Sequence, residues 1–261
     1  MFGLQATLHP FSGHPSFRPL ADLPHAELMQ RLQDPETKRK LLAEEPVPAL
    51  AFLVGQHERI FRLGDPPNYE PDPGESLAAE AKRRGVSPSE LVYDWLLEDD
   101  GKALLYRPFL NYADGNLDAI REMLLAPHTV PGLGDAGAHC GMICDGSFPT
   151  YLLMHWGRDR SRGERLPVEW LVKRQTADTA DLVGLGDRGR IAPGQLADLN
   201  LIDWDALALQ PPEMAFDLPA GGKRLVQRAA GYRSTWKSGT LTFEKGESTG
   251  ELPGTLIRGA R

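Results

Sequence analysis

Apolar positions along residues 24–43 (PHAELMQRLQDPETKRKLLA) recur with helical spacing, so that Leu28, Leu32, Leu41 and Leu42 face inward and Asp34-Pro35 opens a second helix. The unbroken apolar run 47–54 (VPALAFLV) reads as a buried strand, and residues 1–9 as a short strand that runs into a Pro-, Gly- and His-rich loop. Residues 63–74 (LGDPPNYEPDPG) exclude regular structure and read as a long surface loop. Helical signals return in 74–85, which ends on Gly85 after basic residues. The next helix opens on Ser87 as N-cap, Pro88 at the first helical position and Glu90 closing a capping box, and runs to about Leu97. Residues 103–107 predict a strand, and Asp114 to Leu125 a helix with Leu117, Ile120, Met123 and Leu124 inward. Residues 129–134 (TVPGLG) predict a short strand delivering Asp135. An aromatic-rich helix from Phe148 to Trp156 and two short helices between Pro167 and Gly184 follow.

Near residue 186 the character changes to glycine turns and alternating residues. Residues 234–237 and 240–243, joined by Ser238-Gly239, predict a β-hairpin. The chain is therefore expected to be an α/β region over 1–188 followed by a small β-rich subdomain over 189–261. A complete (β/α)8 barrel takes about 250 residues. The stretch before 186, with few strand candidates, is too short for one.

Composition narrows the function more than the fold. An apolar share of 41% in 261 residues provides for a real core. The net charge of −7 argues against a nucleic-acid partner, because neutralising phosphates requires a basic face. Two cysteines, Cys140 and Cys144, cannot make a disulfide framework and point to a reducing cytoplasm. No apolar run approaches membrane-spanning length, and the first residues lack the basic and apolar regions of a signal peptide.

The chemistry concentrates in residues 128–149 (HTVPGLGDAGAHCGMICDGSFP). There the glycine- and alanine-rich surroundings of Asp135 let the backbone approach something closely. A carboxylate at a strand end binds a metal or takes a proton, and an Asp in such a place also simply caps the next turn. His9, His14, His128 and His139 are metal-ligand types, and equally ordinary loop histidines. The C-x3-C spacing of Cys140 and Cys144 is a weak zinc signal with no second pair. The stripe Phe148, Tyr151, Leu152, Met154, Trp156 reads as core or as the lining of an acyl pocket. The run Arg158, Arg160, Arg162, Arg165 reads as a solvated face, or as carrying one carboxylate-binding arginine.

In this order the motifs resemble the amidohydrolase superfamily, and within it the N-acyl-D-amino-acid deacylases. GLGDAGAH is similar to the strand-eight segment, CDGSFPTYLL to the G-T-F-P-R-x-L segment, and DRGRIAPGQLADLNLID to the stretch returning to the small β domain. The tail TGELPGTLIRG is similar to that family's C-terminal end. The resemblance covers nearly the whole chain and is densest from about 128 onward. It implies that residues 1–188 are the last strands and helices of a (β/α)8 barrel, and that Met1 falls after strand six.

It further implies zinc as cofactor in the complete enzyme and Asp135 as the general base and a possible metal ligand. His139, Ser147 and Tyr151 become candidate substrate-binding residues. The substrate would be a small N-acyl amide cleaved at a non-peptide C–N bond. The family's H-x-H ligand pair does not occur, and Thr150 stands where the G-T-F-P-R arginine would be, which puts D-amino-acid specificity in doubt. The isolated chain is therefore expected to bind zinc weakly and to be inactive, awaiting a missing N-terminal half or a homo-oligomer. The alternative is a catalytically inactive fragment or assembly module of the same family.

Overall fold

The computed structural model of the chain describes residues 1–132 and 134–258, apart from the side chains of Ala49, Phe52 and Leu53. Leu133, within the expected TVPGLG strand, and Gly259, at the end of the tail motif, lie outside the described residues. The chain divides into two units. One comprises Met1–Ala119, Asp135–Cys144 and Pro211–Val226; the other comprises Ile120–Gly134, Asp145–Gln210 and Gln227–Arg261.

The first unit is mainly helical. α1 (His25–Leu32) buries Leu28, Met29 and Leu32. α2 (Pro35–Ala43) starts where Asp34 accepts the Thr37 N–H, as its sequence predicts, and it buries Leu41. The run expected to be a buried strand is instead α3 (Pro48–Val54): Pro48 sits at the first helical position and the Gly55 N–H closes onto the Ala51 carbonyl. β1 (Phe61–Arg62) pairs antiparallel with β2 (Leu105–Tyr106), and the expected N-terminal strand reduces to one bridge from Phe2 to Leu105. The 63–74 loop is not all surface, since Glu70 is buried and accepts the Leu117 N–H at 2.9 Å.

α4 (Leu77–Arg84) ends on Gly85 at φ 70°, the left-handed cap a Cβ would disfavour. In α5 (Pro88–Gly101), Ser87 accepts the Glu90 N–H at 3.1 Å, and regular helix stops after Leu97 because Glu98 is extended. Leu91, Val92, Tyr93, Trp95 and Leu96 of α5 join Phe2, Phe11, Phe17, Leu28, Leu41, Ile60 and Leu77 in one apolar core. The Tyr93 hydroxyl, buried there, donates to the Leu32 carbonyl at 2.5 Å.

α6 (Asp118–Leu125) begins four residues later than the apolar spacing predicts, because Asn116 caps the Asp118 N–H. Its Met123 is exposed rather than inward. In the second unit α7 (Phe148–Tyr151) continues into wide π turns over Leu152–Asp159, with the Arg160 N–H reaching back five residues to the His155 carbonyl at 2.8 Å. α8 (Val168–Gln175) and α9 (Ala177–Leu182) follow as expected.

From residue 199 onward strands dominate: β3 (Leu199–Ile202), β4 (Ala208–Leu209), β5 (Glu213–Leu218), β6 (Gly222–Val226), β7 (Ala229–Ala230), β8 (Tyr232–Lys237), β9 (Thr240–Glu244) and β10 (Glu247–Ser248). They form a sheet of order β10-β9-β8-β3 and the separate pairs β4-β7 and β5-β6. The β8–β9 hairpin turns through Ser238 and Gly239, both at positive φ, as its two-residue loop requires. The β5–β6 hairpin groups with the first unit. Every strand pair among the described residues is antiparallel.

Candidate active site

Residues 135–144 form a loop tied into the first unit from two directions. The Thr7 N–H donates to the Gly141 carbonyl at 2.9 Å, the Met1 nitrogen to Met142 at 2.7 Å, and the β6 residue Leu225 to Cys140 at 2.7 Å. Gly141 is required by this approach, since a Cβ there would stand 2.2 Å from Thr7 Oγ1. Within the loop the Asp135 carbonyl accepts the Ala138 N–H at 3.1 Å. His139, at φ 48°, accepts Met142 and Ile143 through its carbonyl.

Asp135 therefore opens a turn. Residues 129–132 and Gly134 before it are irregular, not the expected strand, and its side chain is exposed rather than set in a cleft. The proline and glycines of TVPGLG supply the reason: Pro131 offers no N–H for a ladder, and glycine has no side chain to pack on a sheet. His139 is exposed beside it, and Cys140 and Cys144 are half-buried and not joined in a disulfide.

Asp135 and His139 thus share one loop of the first unit, while Ser147 and Tyr151 share one helical turn of the second. Ser147 is the N-cap residue of α7, and its hydroxyl donates to Gln227 Oε1 at 2.5 Å. The Tyr151 ring stacks on His155 with centroids 4.6 Å apart. Thr150, at the position of the resembled family's arginine, is buried, and its hydroxyl meets the Tyr232 hydroxyl at 2.8 Å. The arginine run beyond α7 is structural at three of its positions. Arg158 pairs with Asp159, Arg160 is buried over the Trp156 ring, and Arg165 donates to the Arg160 carbonyl.

His9 is fully enclosed. Its Nδ1 accepts the Phe11 N–H at 3.2 Å and its ring meets Phe17 edge-on at 4.3 Å. Burial, with smaller contributions from His14 and Lys223, pushes its pKa down to about 3. It is a neutral core residue. His14 and His57 are also shifted down, again chiefly by burial. His128 is exposed. Among the described residues no three His, Cys, Asp or Glu side chains are placed to hold a metal ion, so these residues do not fit a zinc site by themselves. A cavity beside His9, lined by Leu4, Phe11, Phe17, Leu41 and Tyr93 among others, has a volume of about 10 Å³, room for one water and no substrate.

Residues 71–243, well over half the chain, match the model of the amidohydrolase family. The chain belongs to the amidohydrolase family. The match encloses Asp135, His139, Ser147 and Tyr151. Among solved structures this family member is similar to a D-aminoacylase described as defining a novel subset of amidohydrolases. The identity is 25%, the TM-score 0.35, and the alignment covers 67% of this chain and 33% of that one. The chain thus spans about a third of the length of that D-aminoacylase. No curated protein matches. No described helix is long and apolar enough to cross a membrane.

Proposed function

We propose that the chain is the C-terminal part of a hydrolase that cleaves a non-peptide amide C–N bond in a small N-acyl substrate, of the N-acyl-D-amino-acid deacylase kind. The observation that carries this is the amidohydrolase family match over residues 71–243, with the GLGDAGAH and CDGSFPTYLL motifs inside it. In this reading residues 1–188 correspond to the closing strands and helices of the family's barrel and 189–261 to its small β subdomain. Asp135 takes the proton of the attacking water and returns it to the departing amine. His139, Ser147 and Tyr151 contact substrate. Zinc belongs to the complete enzyme, its other ligands coming from polypeptide beyond this chain.

The alternative is an inactive module of the same family. Amine release from N-acetyl-D- and N-acetyl-L-amino acids separates the two, measured on the chain alone and on the chain joined to a polypeptide carrying the remaining barrel strands. The catalytic reading expects hydrolysis only in the joined protein. Asp135→Asn should lower its turnover by about two to four orders of magnitude without altering the circular dichroism. Near-wild-type turnover in that variant removes Asp135 from the chemistry, and no hydrolysis by the joined protein supports the module.

A further inference from the structure

Arg107, in the segment following β2, is only 7% exposed, yet its guanidinium is barely satisfied. Nη2 donates to Gln56 Oε1 at 2.8 Å, while Nε and Nη1, both buried, have no acceptor. A guanidinium carries five N–H donors, and a buried charge without a counter-charge is costly. Among the described residues no carboxylate pairs with Arg107; its charged neighbours are the Met1 ammonium and Arg59, which donates to the Phe109 carbonyl at 3.5 Å. Arg174 shows the contrast: about equally buried, it has the Asp178 carboxylate at 3.3 Å and three backbone carbonyls.

A ring, not an acid, lies against Arg107. Phe109 lies 4.8 Å from the guanidinium carbon and is itself 57% exposed. A cation–π contact repays part of the burial but takes none of the N–H donors, which lie in the guanidinium plane. A neighbouring arginine, three unaccepted N–H groups and an exposed ring beside the guanidinium describe a place suited to negative charge.

We propose that Arg107, with Arg59 beside it, is an oxyanion-binding site that takes the carboxylate or phosphate group of a small ligand beneath Phe109. Burial, and secondarily Arg59, push the Arg107 pKa down, and a bound oxyanion relieves both. The in-plane donors match the paired oxygens of either group. The site does not depend on the hydrolase reading, and its test involves no hydrolysis.

The test is thermal unfolding of the full chain in sodium acetate, sodium phosphate or sodium chloride at equal ionic strength. Acetate, phosphate or both should raise the Tm above chloride with a saturable concentration dependence, and the more effective anion identifies the group the site takes. Arg107→Gln should abolish the difference. Should that variant fail to fold, half-buried Arg59→Gln carries the test and is expected to weaken the anion affinity by about tenfold, the scale of one charge-assisted hydrogen bond. Equal Tm values in all three salts for the wild-type chain overturn the proposal, as does an anion effect that survives unchanged in Arg59→Gln and in any folded Arg107→Gln.

Discussion

Replacing His9 by asparagine tests whether a single enclosed imidazole governs the acid sensitivity of the first unit. The folded chain holds this ring neutral, with its pKa at about 3, whereas an unfolded chain protonates it near the ordinary 6.5. The unfolded state therefore binds the extra proton as pH falls below 6.5, and stability present above that value drains away until the folded pKa is reached. At pH 5 the loss from this one group is about 2 kcal/mol, from 2.303RT per pH unit over about 1.5 units. His14 and His57, shifted the same way, add to it.

In asparagine, Oδ1 can replace Nδ1 as acceptor for the Phe11 N–H, while the edge contact with Phe17 is lost. At pH 7.5 the variant should be less stable by about 1–2 kcal/mol, a partial truncation cost. By pH 5 that deficit should vanish or reverse. Urea unfolding followed by tryptophan emission at the two pH values gives both numbers. Parallel pH dependences in wild type and variant would refute the claim that His9 is the titrating group.

Leu41→Ala removes a side chain with no exposure in the same core and should cost about 2–5 kcal/mol by denaturant unfolding, independent of pH. Gly141→Ala places a Cβ against Thr7 Oγ1 and should cost about 1–3 kcal/mol. Adding Thr7→Ala should recover most of that loss, a coupling that a double-mutant cycle measures directly.

The parts of the fold legible in the sequence are those fixed by local chemistry. Asp34-Pro35, Ser87-Pro88, Gly85 and Ser238-Gly239 each set a backbone angle or satisfy an end group within a few residues, and each lies where its pattern places it. The run 47–54 was open to two readings because an unbroken apolar stretch has no period. Pro48 and Gly55, punctuation at both ends, were the available sign of a helix. Met123 illustrates another limit, since a helical face identifies candidates for burial but not the neighbour that buries them. At the candidate site the small residues after Asp135 do not mark the close approach, since Gly137 has nothing within 4 Å and Ala136 and Ala138 are exposed; it falls at Gly141, against the sequence-distant Thr7. Arg107 carried no pattern at all, because an arginine's lack of acid partners exists only in three dimensions.

The two units are interleaved along the chain: the backbone passes from one to the other at residues 119, 134, 144, 210 and 226. During synthesis the helical core of the first unit emerges ahead of the second unit, but its last hairpin, β5–β6, follows only after most of the second unit has left the ribosome. Domains made in sequence can finish folding one after another; these two cannot. The helical core must wait, with the seat of β6 open, while the chain from residue 120 to Val226 is made, so a chaperone that shelters nascent chains should engage this protein until Val226 is free.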